Sequence, residues 1–415
     1  MMDSVLQLGK NAKEASRFLA VASTEKKNAA LLSIACALRK NSASILEKNA
    51  LDIKNAEQNG MNKTMLDRLL LTEERIEGMA QGVEEVAALP DPVGRVLDSV
   101  TRPNGLEITK VSVPIGVIAV IFEARPNVTS DAASLCLKAG NAVILRGGKE
   151  AINSNCEIAR VMRSALKDAH FPENCINFVE DTSRDSAAAL MTMNGYVDVL
   201  IPRGGAGLIQ ACVKNSTVPV IETGTGNCHI YVDKSADIDM ACKIIFNAKT
   251  SRPSVCNAAE SLLIHKDIIA SALPEIKARL DEKGVTLHGD EASRAVCPDI
   301  LPATEEDWGR EYLSFDMSVK QVESTDEAID WIYKYGTKHS EAIITEDEAE
   351  AKKFLDRVDA AAVYHNASTR FTDGGVFGLG AEIGISTQKL HARGPLGLNE
   401  LTSMKFVVRG NGQIR

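Results

Sequence analysis

A regular alternation of strands and helices begins at Val117-Ile118-Ala119-Val120-Ile121-Phe122, six apolar residues in a row. A run that is apolar in every position predicts a strand buried on both faces, as in a parallel sheet. Residues Val128 to Lys138 follow as a predicted helix, and Gly140 is a typical helix stop. The alternation continues with predicted strands at 142–145, 176–179, 197–201 and 218–221, and with predicted helices around 158–166, 186–193 and 206–213. This order predicts a doubly wound parallel α/β sheet over 114–224, which binds ligands beyond the carboxyl ends of its strands.

The segments on either side of this sheet show other patterns. Residues 3–90 are predicted to be helical, with Thr72 as the N-cap of one helix. Residues 95–113 alternate around Asn104-Gly105, a strong hairpin signal. This hairpin is either an arm that pairs with another subunit or an edge of its own domain. A second α/β region at 228–398 has strand candidates at 229–232, 262–264, 342–344 and 361–364, and a last short strand at 405–408 is placed to pair with the hairpin.

The composition limits the class of protein. The chain has 415 residues, 45% of them hydrophobic and 25% charged, as in an ordinary globular protein. Its formal net charge of −9 argues against a nucleic-acid surface, but a local basic pocket for a phosphorylated small molecule remains open. No apolar run reaches the roughly 18 residues of a membrane span, and no secretory signal is expected at the N-terminus. The nine cysteines form no C-x-x-C pair, so we expect no metal site and free thiols in a reducing cytoplasm.

One cysteine stands in a setting that suits chemistry. The segment 247–260 places Cys256 in a polar, cationic loop before the apolar run 261–264. A cysteine attacks carbonyl groups as the thiolate, which nearby positive charge favours. Lys249 and Arg252 would supply that charge if the fold turns them toward the sulfur. The alternative is that Cys256 packs as a small apolar residue.

Two loops at predicted strand ends have the composition of phosphate cradles. They are Arg146-Gly147-Gly148-Lys149 and Arg203-Gly204-Gly205-Ala206-Gly207. Each combines a cation, glycines that let backbone N–H groups approach a ligand, and a following helix N-terminus. Together they predict a nucleotide or dinucleotide site, although each taken singly is also ordinary turn chemistry. The chain has no complete G-x-G-x-x-G between a strand and a helix.

Three polar residues at the same edge are candidates for catalysis or substrate binding. Asn127 either donates to an oxyanion or caps the helix that follows it. Arg125 is suited to an anionic substrate. Glu222 is a candidate general base, or an acceptor for neighbouring turn amides.

Four segments together resemble the aldehyde dehydrogenase superfamily over nearly the whole chain. They are Val-Pro-Ile-Gly-Val-Ile-Ala-Val-Ile-Phe-Glu-Ala-Arg-Pro-Asn-Val at 113–128, Ile-Pro-Arg-Gly-Gly at 201–205, Ser-Arg-Pro-Ser-Val-Cys-Asn-Ala-Ala-Glu at 251–260, and Gly-Leu-Gly-Ala-Glu-Ile-Gly-Ile-Ser-Thr-Gln-Lys-Leu-His-Ala-Arg-Gly-Pro at 378–395. Their amino-acid sequences are similar to those of members that reduce an acyl phosphate. The resemblance implies an aldehyde dehydrogenase-like fold: a doubly wound parallel-sheet cofactor domain, a second α/β catalytic domain and a small β oligomerisation arm.

The resemblance also implies domain limits and an activity. The NADP-binding domain would be 1–94 and 114–224, the catalytic domain 225–398, and the oligomerisation arm 95–113 and 399–415. The expected reaction is NADPH-dependent reduction of γ-glutamyl phosphate to glutamate 5-semialdehyde with release of phosphate, through a cysteine thioester, in proline biosynthesis. A homo-oligomer is expected, and a glutamate kinase is a candidate partner.

Residue roles follow from the same resemblance. Cys256 would be the nucleophile, and Asn127 would form the oxyanion hole with the backbone N–H of that cysteine. Glu311 would hold the nicotinamide ribose. Arg146 and Lys149 would lie near the adenosine ribose, where they suit the 2′-phosphate of NADP.

The remaining site residues are placed more loosely. Gly204 and Gly205 are expected to bind the cofactor. Glu222 aligns with the base that activates water in hydrolytic members, but here Thr-Gly-Thr-Gly-Asn follows it instead of Leu-Gly-Gly-Lys. Arg125 and Arg252 are the candidates for the anionic groups of the substrate, with Arg393 or His391 as alternatives. The competing hypotheses are a hydrolytic semialdehyde dehydrogenase and a catalytically silent relative kept for assembly.

Overall fold

The computed structural model describes residues 2–415, which form two compact units. Among the described residues, the first unit comprises 2–223, Gly378–Gly384 and Leu396–Arg415, and the second comprises Gly224–Phe377 and Ile385–Pro395. Residues 378–384 and 396–398, which the sequence assigned to the second domain, group with the first unit. Within that unit the backbone N–H of Ile383 donates to the carbonyl of Leu396 over 3.0 Å.

The first unit contains nine α-helices and seven strands within its described residues. The helices are α1 (Met2–Leu19), α2 (Thr24–Lys40), α3 (Ser42–Gln58), α4 (Lys63–Leu69), α5 (Glu73–Ala88), α6 (Val128–Lys138), α7 (Ile152–Asp168), α8 (Arg184–Met191) and α9 (Ala206–Asn215). The strands are β1 (Val96–Thr101), β2 (Glu107–Pro114), β3 (Val117–Phe122), β4 (Ala142–Arg146), β5 (Ile176–Phe178), β6 (Val199–Arg203) and, at the far end of the chain, β16 (Thr402–Arg409). Thr72 caps α5 as predicted, since its side chain accepts the backbone N–H of Arg75.

A parallel sheet of order β5-β4-β3-β6 forms the core of this unit, as the alternation predicts. All six residues of β3 are buried, and helix α6 has the predicted limits. The predicted strand at 218–221 is wrong, because only an isolated bridge between Leu200 and Val220 forms there. Pro219 lacks the N–H that a strand at this position would need to extend the ladder.

A second, three-stranded sheet carries the predicted hairpin. Strands β1 and β2 pair antiparallel around a turn in which Gly105 has a φ of +84°, a backbone conformation that favours glycine. The prediction that the last strand pairs with the hairpin is confirmed, because β16 runs antiparallel to β2 from Thr402 to Arg409. All six residues of β1 are exposed.

The second unit is built on a seven-stranded parallel sheet of order β10-β9-β11-β8-β7-β12-β13. Its strands are β7 (Cys228–Val232), β8 (Ala259–His265), β9 (Thr286–Gly289), β10 (Leu301–Pro302), β11 (Asp316–Val322), β12 (Ser340–Ile344) and β13 (Ala362–His365), followed by the small antiparallel pair β14 (Ile385–Ser386) and β15 (Gly394–Pro395). Its helices are α10 (Ile238–Thr250), α11 (Ile269–Asp281), α12 (Glu291–Val296), α13 (Glu305–Trp308), α14 (Thr325–Tyr335) and α15 (Glu348–Arg357). The predicted α/β class with parallel sheets is therefore confirmed in both units.

None of the helices described in residues 2–415 is both long enough and apolar enough to cross a membrane.

Candidate active site

Cys256 lies in a turn between the end of α10 and the start of β8, and it is half-buried. Pro253 helps to end the preceding helix, because proline cannot continue its hydrogen bonds. The turn closes where the backbone N–H of Ala258 donates to the carbonyl of Val255 over 3.1 Å. Strand β8 is buried along its whole length, so the turn starts from a rigid element.

The backbone of Gly226 packs directly against the backbone of Cys256. A Cβ atom at Gly226 would overlap the carbonyl oxygen of Cys256 and would lie 2.7 Å from its Cα, so no other residue fits here without moving the turn. The N–H of Gly226 donates to Oε1 of Glu311 over 2.7 Å, and the thiol of Cys228 donates to the Cys256 carbonyl over 3.2 Å. Glu311 therefore fixes the glycine that supports the candidate nucleophile.

Arg370 ties both sides of the same turn together. Its Nε donates to Oγ of Ser251 over 3.1 Å, and its Nη1 donates to Oδ1 of Asn257, the residue directly after Cys256. Thr369 adds a hydrogen bond from its hydroxyl to the carbonyl of Asn257 over 2.8 Å. Since these contacts come from a distant part of the chain, the motif around Cys256 gave no sign of them.

Of the two cations predicted near Cys256, Lys249 is turned inward but is already paired. Its Nζ lies 2.5 Å from Oε2 of Glu260, and both side chains are fully buried. Burial lowers the pKa of Lys249 and raises the pKa of Glu260 to about 7, even though each partner favours the charge of the other. Arg252 is exposed and makes no hydrogen bond or ion pair with a residue in the described part of the chain.

In the first unit, Asn127 follows a strained turn at the end of β3. Ala124 has a φ of +44°, which is costly for a residue other than glycine and typical of functional sites. Its N–H donates to Oε1 of Glu150 over 2.7 Å. The Asn127 side chain makes no cap hydrogen bond with α6, and its Nδ2 donates to Oδ2 of Asp131 over 2.7 Å. Burial raises the pKa of Asp131 to about 6, against the opposing effect of this hydrogen bond.

The two predicted phosphate loops also lie at strand ends of the first unit. Arg146 ends β4, and its Nη2 donates to the carbonyl of Thr182 over 2.7 Å, while its buried Nε has no partner among the described residues. The N–H of Gly205, at the start of α9, donates to Oε2 of Glu123 over 3.0 Å. A Cβ atom at Gly204 would collide with that same oxygen. A negatively charged group thus occupies the helix N-terminus, as expected of an anion site.

The other predicted residues are placed as follows. Lys149 is exposed, and Glu222 is half-buried; neither makes a hydrogen bond or ion pair with a described residue. Arg125 is half-buried and His391 is exposed. Arg393 forms an ion pair with Asp359, with Nη1 and Oδ1 2.8 Å apart.

The model of the aldehyde dehydrogenase family matches residues 4–300. The chain belongs to the aldehyde dehydrogenase family. The gamma-glutamyl phosphate reductases of Carboxydothermus hydrogenoformans and Clostridium perfringens are each 58% identical to it, over 100% of both chains. The chain therefore groups with the gamma-glutamyl phosphate reductases of that family, which confirms the predicted resemblance.

Solved structures agree with the family assignment. The crystal structure of the gamma-glutamyl phosphate reductase from Thermotoga maritima aligns with a TM-score of 0.97 and 50% identity, covering 99% of each chain. An acetylating aldehyde dehydrogenase from Geobacillus thermoglucosidasius aligns with a TM-score of 0.73 and 20% identity, covering 100% of this chain and 98% of that one. The second likeness shows the shared fold, so the predicted aldehyde dehydrogenase-like fold is confirmed.

The sequence motifs do not predict three residues that contact Asn127 or the Cys256 turn: Asp131, Gly226 and Arg370. A signal existed for Asp131, because a residue four positions after Asn127 faces the same side of a helix. Gly226 belongs to the Thr-Gly-Thr-Gly-Asn segment after Glu222, which gives no sign of a contact with Cys256. Arg370 had no local signal, since its partners are distant in sequence.

Proposed function

We propose that this enzyme reduces γ-glutamyl phosphate to glutamate 5-semialdehyde, with release of phosphate and with NADPH as the reductant, in proline biosynthesis. The identity of 58% over the full length to a protein named gamma-glutamyl phosphate reductase supports the substrate and the pathway. The observation that carries the mechanism is the Cys256 turn. This thiol is half-buried on a turn fixed by Gly226, Glu311 and Arg370, whereas six of the nine cysteines are buried.

The chemistry begins with the Cys256 thiolate attacking the carbonyl carbon of the acyl phosphate, which forms a C–S bond. The C–O bond to phosphate then breaks, phosphate leaves with the electron pair, and a thioester remains on the sulfur. NADPH, when bound, supplies the hydride that reduces this thioester. The aldehyde is released when the C–S bond breaks and the electron pair returns to the sulfur.

Oxyanion stabilisation is assigned to the Asn127 amide and the backbone N–H of Cys256. Asn127 has two amide hydrogens, and the contact with Asp131 uses one of them. The other remains to donate to the charge that develops on the substrate oxygen. An amide held in one orientation before the reaction is what electrostatic preorganisation requires.

The residues at the cofactor site fit NADPH. The buried Nε of Arg146 has no partner among the described residues, so it offers an unused donor to the 2′-phosphate, with Lys149 as a second cation. Gly204 and Gly205 are assigned to the pyrophosphate, which would displace the Glu123 carboxylate from the N-terminus of α9. Glu311 uses only Oε1 for Gly226, which leaves its other oxygen for ribose hydroxyls. We assign residues 1–94 and 114–224 to cofactor binding and 225–398 to catalysis.

The three-stranded sheet of β1, β2 and β16 is assigned to assembly of a homo-oligomer. Apolar side chains of β16 are exposed, among them Met404, Phe406 and Val408. Strand β16 pairs with β2 on one side only, so its other edge is open to a strand of a second copy. A glutamate kinase, which makes the acyl phosphate, is the other proposed partner. Nine free cysteines suit a reducing compartment, which we propose is the cytoplasm.

A second candidate function is a hydrolytic semialdehyde dehydrogenase. The Glu222 carboxylate makes no hydrogen bond or ion pair with a described residue, so it is available as a base for water. An active water base would hydrolyse the thioester that the reductase must keep. Glu222 is therefore not assigned as a water base in this enzyme.

The test is steady-state NADPH oxidation with γ-glutamyl phosphate generated in place by a glutamate kinase. We expect turnover with the wild type and none with Cys256→Ser, while NADPH binding measured by fluorescence is retained. The control, Cys36→Ser, alters an exposed thiol and should keep its activity. Full activity of Cys256→Ser would reject the mechanism. In the reverse direction NADP reduction should require phosphate, and phosphate-independent turnover would favour the hydrolytic alternative.

A further inference from the structure

Two arginines flank the Cys256 turn in the second unit, and neither forms an ion pair with a carboxylate in the part of the chain that the structure describes. Arg252 is exposed and makes no hydrogen bond or ion pair with a described residue. Arg370 is half-buried, and its side chain donates to two neutral acceptors, Ser251 Oγ and Asn257 Oδ1. Burial is the main cause that lowers the pKa of Arg370, and the charge of Arg252 lowers it further.

The carboxylate nearest in sequence to Arg370 does not neutralise the pair. Asp373 influences Arg370 electrostatically but forms no ion pair with it. Its Oδ1 accepts the backbone N–H groups of Gly375 over 2.9 Å and Val376 over 3.2 Å. The positive charge of the two guanidinium groups is therefore left beside the candidate nucleophile.

Two like charges held together raise the free energy of the unliganded site, and a bound anion relieves that repulsion. The planar guanidinium group suits phosphate because its N–H groups match the spacing of phosphate oxygens. Arg370 is also fixed in place, since it is bonded to Ser251 on one side of Cys256 and to Asn257 on the other. An anion bound to it would lie next to the turn that carries the sulfur.

We propose that Arg252 and Arg370 form the phosphate subsite of the reaction. In the forward direction they hold the phosphate as its C–O bond to the acyl carbon breaks and it takes the electron pair. In reverse they hold the inorganic phosphate whose oxygen attacks the thioester, while the electron pair of the C–S bond returns to Cys256. This subsite rests on the proposed function.

The geometry of the substrate favours phosphate over the substrate carboxylate at this position. The leaving phosphate is attached to the same carbon that bonds to the Cys256 sulfur. The α-carboxylate of γ-glutamyl phosphate is at the opposite end of the molecule. A cation anchored on Asn257, the residue next to Cys256, is therefore placed for the phosphate end.

The first experiment measures NADP reduction by glutamate semialdehyde at varied inorganic phosphate. We expect Arg252→Met and Arg370→Met each to raise the KM for phosphate about 10- to 100-fold, the usual effect of losing a charged hydrogen bond. The KM for the semialdehyde should change less than about twofold, and Arg370→Lys should recover part of the phosphate affinity. Arg294→Met removes an exposed arginine from α12 and serves as the control. A raised KM for the semialdehyde with an unchanged KM for phosphate would overturn the proposal.

A second experiment does not depend on turnover. It compares the alkylation rate of Cys256 by anionic iodoacetate with that by neutral iodoacetamide, using peptide mapping. The ratio of the two rates cancels differences in thiolate fraction, so it reports local positive charge. We expect a higher ratio for Cys256 than for Cys36, a decrease on adding phosphate, and a decrease in Arg252→Met. Because Arg252 is exposed and makes no hydrogen bond or ion pair with a described residue, this variant should stay folded.

The outcomes separate the two proposals. Reduction of NADP by glutamate semialdehyde with the wild-type enzyme in the absence of phosphate would reject the proposed function. Phosphate-dependent turnover with an iodoacetate ratio that neither added phosphate nor Arg252→Met changes would reject the subsite alone.

Discussion

The side-chain amide of Asn127 donates a hydrogen bond to the carboxylate of Asp131 over 2.7 Å. Both residues lie at the start of α6, directly after the buried strand β3 and the strained turn at Ala124. The contact fixes the direction of the amide and leaves its second hydrogen unused. Asp131 is therefore a positioning residue for the proposed oxyanion donor.

Asn127→Ala should lower kcat by about 10²–10³, the typical loss when one oxyanion donor is removed. NADPH binding should be unchanged, because the amide is assigned to the substrate oxygen. The measurement is kcat with γ-glutamyl phosphate beside a fluorescence titration of NADPH. Asn59→Ala is the control, since that exposed amide bonds only to the carbonyl of Asn55. A change of less than about threefold in Asn127→Ala would contradict the role.

Asp131→Asn should change how stability depends on pH. Burial raises the pKa of Asp131 to about 6, above its ordinary value of 3.8, so the folded protein binds this proton more tightly than the unfolded chain. The stability that this proton contributes is complete below the unfolded pKa and is lost as the pH rises through about 6. The asparagine variant, which imitates the neutral form, should gain in Tm relative to the wild type over that window. A Tm difference that does not vary with pH would show that this carboxyl is not perturbed.

Gly226→Ala should displace the Cys256 turn. The added Cβ would overlap backbone atoms of Cys256, which cannot move aside as a flexible side chain can. A misplacement of about 1 Å near the chemistry costs about 10²-fold in rate, so we expect at least that loss in kcat. Gly309→Ala is the matched control, because its nearest neighbour would be an ordinary contact at 3.9 Å. Equal activity of the two variants would contradict the close packing of Gly226 on Cys256.

Substitutions of Lys249 and Glu260, which form a buried ion pair, should have strongly non-additive effects on the free energy of unfolding. Glu260→Met leaves a buried ammonium without its partner, and the expected loss is about 3–5 kcal/mol in the free energy of unfolding. Lys249→Met leaves the carboxylate unpaired with a similar loss. The double variant Lys249→Met/Glu260→Met should be much closer to the wild type than the sum of the single losses. Urea unfolding measures all four proteins, and additive losses would show that the two charges are not coupled.

Much of the fold follows from local pattern. Strand β3 and helix α6 were predicted with their observed limits, because an unbroken apolar run and a clear helical stop leave little choice. Strand β11 was missed, since Ser318 and Lys320 interrupt its apolar run although Ser318 is buried. Strand β11 lies between β8 and β9, and this pairing cannot be predicted from the local sequence pattern.

The candidate site, like the fold, was predictable from the sequence only in part. Cys256, Asn127 and Glu311 were singled out from motifs and family likeness, and their catalytic and binding roles stay predictions. Arg370 depends on a tertiary contact with Asn257, so its neighbours in sequence give no hint of it. Lys249 was expected to supply positive charge only if the fold turned it toward the sulfur, and its buried partner Glu260 is likewise not apparent from the local sequence.

The most direct test of covalent catalysis at Cys256 is to trap the acyl-enzyme. The enzyme is mixed with γ-glutamyl phosphate in the absence of NADPH, quenched in acid, digested and mapped by mass spectrometry. The γ-glutamyl group should appear on the peptide that contains Cys256 and should be released by hydroxylamine. An acyl group on any other side chain, or an unmodified Cys256 in an enzyme that turns over on adding NADPH, would contradict the mechanism.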